Sequence, residues 1–220
     1  ANSVLWPLFH GRADLLDLRS DFLTTYRAVN RRIARLVADE LREDDRLWVH
    51  DYHLIPIAAE LRAMGCENRI GFFLHIPFPG AGDCHALPDV PLFAKWLAAY
   101  DLIGLQSQRD VSAFADCFNS LDDAEAQGDG TFRYAKRAVR VDAFPIGIDA
   151  RGFQQIAESQ DAGRGAADGE HLIIGVDRLD YSKGLPQRFR AFGHLLERRP
   201  DLAGKVTLIQ IAPPTREEVK

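Results

Sequence analysis

Short apolar runs alternate along the chain with stretches in which apolar residues recur every three to four positions. The runs at residues 47–50, 70–76, 102–105, 139–144, 172–176 and 206–211 are rich in Val, Ile, Leu and Phe. They read as strands of a parallel sheet covered on both faces. Helical periodicity fills the gaps at residues 19–42, 54–64, 91–100, 109–118 and 185–198. In the first of these, Phe22, Tyr26, Val29, Ile33, Leu36, Val37 and Leu41 share one face. Pro200 follows the last and is a helix stop. The alternation predicts an α/β fold of repeated βα units. One region breaks the rhythm: residues 157–170, rich in Gly, Ala and Asp, read as a surface connection. It follows residues 144–149, which look like a strand leaving one domain. Two βαβ-containing regions are therefore expected, residues 1–148 and 149–220.

Composition narrows the class. The 220 residues are 46% hydrophobic and 27% charged, enough for one or two globular cores. A net charge of −5 gives no reason to expect nucleic acid or an anionic membrane as a partner. No uninterrupted apolar segment is long enough for a membrane span. The cysteines, Cys66, Cys84 and Cys117, are odd in number and widely spaced, with no CxxC pair. Reduced thiols in a cytoplasmic protein are the expectation, without a disulfide framework or a zinc site. Both ends read as cuts, with a helix beginning at the final residues.

Three segments place polar groups where strands end, the position at which parallel sheets bind ligands. The first is His50-Asp51-Tyr52-His53. Asp51 suits an N-cap of the following helix, an acceptor for sugar hydroxyls, or, with its neighbours, a metal ligand. The second is Leu74-His75-Ile76-Pro77-Phe78-Pro79, in which the prolines stop the ladder and leave His75 at a cleft or satisfied within the structure. The third is Asp177-Arg178-Leu179-Asp180-Tyr181-Ser182-Lys183-Gly184, one Arg and one Lys before a helix start. That combination favours a diphosphate; the alternative is an ion pair of Arg178 with Asp177 or Asp180. Neither GxGxxG nor GxxxxGK[ST] is present there, which weakens NAD and ATP readings. Trp6, in Val4-Leu5-Trp6-Pro7, serves core packing or stacking on a sugar ring. Arg216, after Ala212-Pro213-Pro214-Thr215, serves a phosphate or the solvated surface.

Asn2-Ser3-Val4-Leu5-Trp6-Pro7, Trp48-Val49-His50-Asp51-Tyr52-His53-Leu54, Phe72-Phe73-Leu74-His75-Ile76-Pro77-Phe78-Pro79, Asp177-Arg178-Leu179-Asp180-Tyr181-Ser182-Lys183-Gly184 and Gln210-Ile211-Ala212-Pro213 occur in this order. Together they resemble the trehalose-6-phosphate synthases over nearly the whole chain. The resemblance implies the GT-B fold of two Rossmann-like parallel-sheet domains, both truncated here. Residues 1–148 would be part of the acceptor-side domain and 149–220 the start of the donor-side domain. It implies retaining transfer of glucose from UDP-glucose to glucose 6-phosphate, with no metal and no cofactor. Arg178 and Lys183 would hold the donor diphosphate, Asp51 would bind acceptor hydroxyls, and Trp6 would shape the acceptor pocket. Arg216 would grip the acceptor phosphate, and His75 would lie beside the transferred sugar. The family leaves room for a homo-oligomer.

Residues Gly80 to His85 depart from the Glu-Ile-Phe segment usual there, and the family's glycine-containing N-terminal loop and acidic C-terminal segment are missing. Negligible activity is expected of this stretch alone. The alternatives are a relative with another phosphorylated acceptor, such as glycerol 3-phosphate or a cyclitol phosphate, and a non-catalytic regulatory homologue.

Overall fold

A computed structural model describes residues 1–159 and 171–213, and the chain divides into two compact units, Ala1–Gly147 and Ile148–Lys220. The first unit runs α1 (Leu5–Phe9), α2 (Ser20–Glu40), β1 (Arg46–His50), α3 (Ile57–Ala63), β2 (Arg69–Phe73), α4 (Ala81–Cys84), α5 (Val90–Leu97), β3 (Leu102–Leu105), α6 (Gln108–Asn119), β4 (Glu125–Ala126), β5 (Thr131–Tyr134) and β6 (Arg137–Ala143). The strands form one sheet in the order β1-β2-β3-β6-β5-β4. Its first four members are parallel, and β5 and β4 add an antiparallel edge that the apolar pattern did not signal. These two strands carry Glu125, Thr131 and Arg133, so they lack the continuous apolar run of a buried strand.

Period-two alternation decides where the core lies. The cross-strand row Val49, Phe72, Ile103 and Val141 is buried in register. It packs on Ala34 of α2, Leu61 of α3, Trp96 and Leu97 of α5, and Phe114 and Phe118 of α6. The neighbouring row Trp48, Gly71, Leu102 and Arg140 lies on the opposite face, where Trp48 is 66% exposed. The expectation of strands covered on both faces is therefore corrected: among the described residues, helices cover one face. On α2 the predicted apolar face also narrows. Tyr26, Ile33 and Val37 pack on the core, while Val29 and Leu36 are exposed.

Helix boundaries follow local chemistry. Asp89 caps α5 by accepting from the Leu92 N–H at 2.9 Å, and Ser107 caps α6 by accepting from Asp110 at 3.3 Å. Three short helices were not expected: α1, α4 and α7 (Ala150–Ser159), the last in the second unit. Residues 157–159, read as loop, close α7, while residues 160–170 lie outside the described residues. The strand expected to leave the first domain stops at Ala143, and residues 144–149 form no ladder.

The cysteine expectation is also corrected. Cys84 of α4 and Cys117 of α6 are 0% and 2% exposed and are joined as a disulfide, their Cα atoms 6.3 Å apart. They lie 33 residues apart in the chain, and the packing of α4 on α6 removes that separation. Cys66 remains free and half-buried.

In the second unit α7 is followed by β7 (His171–Val176), α8 (Leu185–Arg198) and β8 (Val206–Ile211). β7 and β8 pair in parallel from His171 opposite Val206 to Val176 opposite Ile211, with α8 as the crossover. Gly184 adopts φ 63°, a left-handed turn into α8 that a side chain would strain. Among the described residues of this unit Leu185 is the one buried hydrophobic side chain.

Candidate active site

The polar groups of the first unit gather at the carboxyl ends of β1 and β2. Asp51 immediately follows β1 with φ 69° and ψ 162°, a backbone region that costs a non-glycine residue about 1–3 kcal/mol. Two backbone bonds hold it there: its N–H donates to the Phe73 carbonyl at 2.8 Å, and its carbonyl accepts from Leu54 at 3.1 Å. The side chain makes no cap bond to the turn that follows, so the N-cap reading of Asp51 does not hold. Its Oδ1 is buried and accepts no hydrogen bond among the described residues. Such an oxygen carries a desolvation cost of about 1–3 kcal/mol until a donor reaches it.

The turn after Asp51 rests on side chains that sequence reading did not single out. The Tyr26 hydroxyl donates to the Tyr52 carbonyl, and Asn30 Nδ2 donates to the His53 carbonyl at 3.1 Å. The Tyr100 hydroxyl donates to the Leu54 and Ile55 carbonyls at 3.0 and 3.1 Å. Burial pushes the Tyr26 and Tyr100 phenols up, so both remain hydroxyl donors at neutral pH. Every carbonyl from Tyr52 to Ile55 thus has a donor fixed in the core, and the backbone of Asp51 inherits that rigidity. No local motif signals this frame, because its donors are 23 to 46 residues from their acceptors.

Trp6 lies half-buried on α1, with ring centroids 4.1 Å from His10 and 5.8 Å from Tyr52. Asn2 ties the same segment to the turn: the Tyr52 hydroxyl donates to its Oδ1 at 2.7 Å, and His53 Nε2 lies 3.0 Å from that oxygen. The core-packing reading of Trp6 is therefore met, its half-buried ring lying against the core and beside Tyr52, the residue that follows Asp51. His75, two residues beyond β2, is exposed and lines a cleft of about 510 Å³ with Trp48, His50, Phe73, Phe144 and Ile146. The segment beyond it is pinned by Asp110, which accepts from the Phe78 N–H at 3.0 Å and from the Ser107 hydroxyl at 2.6 Å. Among the described residues no three His, Cys, Asp or Glu side chains converge as a metal site would require.

The loop between β7 and α8 distributes its charges in a definite way. Arg188 of α8 takes Asp177, Nη1 to Oδ2 at 2.7 Å, and also donates to Gln210 of β8. Asp180 turns onto the Ser182 N–H at 2.9 Å. The surface pair between Arg178 and either loop carboxylate does not form. Arg178 and Lys183 are both exposed and have no ion pair among the described residues. Leu179 N–H donates to the Pro213 carbonyl at 3.1 Å, tying the loop to the end of β8. Arg216 lies outside the described residues.

The family model described as glycosyltransferase family 20 matches residues 1–220. The chain belongs to glycosyltransferase family 20. It is 41% identical to trehalose-6-phosphate synthase of Cronobacter sakazakii and 42% to that of Sinorhizobium fredii, covering 100% of this chain and 48% of each relative. A Burkholderia xenovorans trehalose-phosphate synthase solved with glucose 6-phosphate superposes with a TM-score of 0.92 at 43% identity, over 99% of this chain and 50% of that one. An E. coli enzyme bound with UDP-2-fluoro glucose gives 0.90 at 40% identity, over 100% of this chain and 50% of that one. The chain thus spans about half the length of the relatives it matches. The resemblance read from five ordered segments is a family membership, and the α/β architecture is that of the GT-B synthases. Among the described residues no helix is long and apolar enough to cross a membrane.

Proposed function

We propose that the protein transfers glucose from UDP-glucose to glucose 6-phosphate with retention, forming trehalose 6-phosphate. The observation that carries this reading is the β7–α8 loop: both its carboxylates are engaged, Asp177 by Arg188 and Asp180 by a backbone N–H, while Arg178 and Lys183 stay unpaired among the described residues. Two unneutralised cations beside a helix start suit a diphosphate, and Arg adds bidentate geometry to the point charge of Lys.

As the bond between the sugar and UDP breaks, negative charge grows on the diphosphate. Fixed cations stabilise that charge more in the transition state than in the ground state, and they do so without a metal or cofactor. The acceptor hydroxyl oxygen forms its bond to the anomeric carbon from the face that UDP leaves, and its proton passes to the departing phosphate oxygen. No protein nucleophile is used. On the acceptor side, Asp51 Oδ1 supplies an acceptor for a sugar hydroxyl, Trp6 a ring face, and His75 a group beside the transferred sugar. Arg216 would grip the acceptor phosphate. The domain assignment follows, with residues 1–148 on the acceptor side and 149–220 on the donor side.

The test is Arg178→Ala in the complete protein. Loss of one electrostatic donor of this type costs about 2.7–4 kcal/mol, or about 10²–10³ in kcat. An unchanged kcat/KM with UDP-glucose and glucose 6-phosphate overturns the reading. Glycerol 3-phosphate and a cyclitol phosphate as competing acceptors test the acceptor half separately.

A further inference from the structure

His50 is absorbed by none of these roles. It ends β1 on the open face of the sheet, in the cross-strand row His50, Phe73, Gly104 and Asp142. Its Nδ1 lies 2.9 Å from Nε2 of His75, 25 residues along the chain, with ring centroids 5.2 Å apart and planes 22° from parallel. Neighbouring rings confine the pair: Trp48 lies 4.5 Å from His50 and Phe73 lies 4.9 Å from His75, centroid to centroid. Phe73 can occupy that place because residue 104 is glycine. A Cβ there would sit 2.7 Å from Phe73 Cδ2.

Two neutral imidazoles share one hydrogen bond only when one nitrogen carries the proton and the other presents a lone pair. A proton on His50 Nδ1 holds His75 as the Nδ1–H tautomer, and a proton on His75 Nε2 reverses the bond. His75 makes no other hydrogen bond among the described residues, which leaves its Nδ1 for a ligand. We propose that His50 is a positioning residue: it donates from Nδ1 to His75 Nε2, fixes the orientation of that ring, and holds His75 as the Nδ1–H tautomer. His75 then offers a donor to a sugar oxygen. The role in transfer rests on the function proposed above, whereas the imidazole pairing does not.

Two variants and one spectrum test it. His50→Phe keeps an aromatic ring beside Trp48 but removes the donor. His50→Asn places an amide nitrogen close to the position of Nδ1. In imidazole ¹⁵N spectra of this 220-residue chain, His75 is expected to carry its proton on Nδ1 in the parent and in His50→Asn, and to become a tautomer mixture in His50→Phe. In the complete protein, His50→Phe is expected to lower kcat about tenfold, the worth of one hydrogen bond, and His50→Asn to restore most of it. Combined with His75→Ala, His50→Phe should add no further loss. A parent His75 protonated on Nε2, an unchanged spectrum in His50→Phe, or additive losses in the double variant would overturn the proposal. A complete protein that transfers no glucose refutes the function, and the spectra still decide the pairing.

Discussion

The two units use the same βα vocabulary with different results. In the first, alternate rows of a parallel sheet separate cleanly, and Val49, Phe72, Ile103 and Val141 disappear beneath four helices. In the second, β7 and β8 are equally apolar, yet Leu172, Ile173, Ile174 and Val176, with Ile209 and Ile211, are all more than 40% exposed. Backbone pairing and helix periodicity are present in both. The difference is cover: a strand row contributes to stability in proportion to the apolar area removed from water, at about 25 cal/mol per Å². The candidate site residues divide accordingly. Asp51, Trp6 and His75 stand on a packed frame, whereas Arg178 and Lys183 stand on a loop secured by the Arg188–Asp177–Gln210 contacts and the tie to Pro213.

The largest effect expected from this contrast is on folding itself. Residues 1–147 produced alone should unfold in one cooperative thermal transition. Residues 148–220 produced alone should give collapsed amide dispersion and no transition, since a βαβ unit with one buried hydrophobic side chain among its described residues cannot offset its chain entropy. A sharp melt of the second piece would break the comparison. Next in size is the disulfide. Reduction, or Cys84→Ser, should destabilise the first unit by about 2–4 kcal/mol, the usual worth of a bridge closing a loop of this size. Denaturant unfolding with and without a reducing agent measures it, and an unchanged midpoint would show that the bridge does not form in solution.

The smallest effect runs the other way. Asp51→Gly removes both the left-handed strain and the buried unpaired oxygen, so the first unit should gain about 1–2 kcal/mol. The same change should weaken acceptor binding in the complete protein. A stability loss instead would mean that the Asp51 carboxylate is satisfied within the fold, and the acceptor role would fail with it.

Much of this was open to inspection in the sequence. The apolar runs located six of the strands, residues 185–198 were a helix at both ends, and five ordered segments identified the family. These features depend on near neighbours, so periodicity and turn chemistry report them directly. The antiparallel edge escaped notice because β4 and β5 are short and polar.

By itself, then, the sequence determined the α/β alternation, the loop carrying Arg178 and Lys183, and the placement of Asp51 and His75 at strand ends. Tertiary structure alone decided which sheet face is covered and that Cys84 meets Cys117 across 33 residues. It also joined His50 to His75 and diverted Asp177 to Arg188. Each of these is a contact between positions far apart in the chain. Local patterning sets what a segment becomes, but the path of the backbone between segments sets whom its side chains meet.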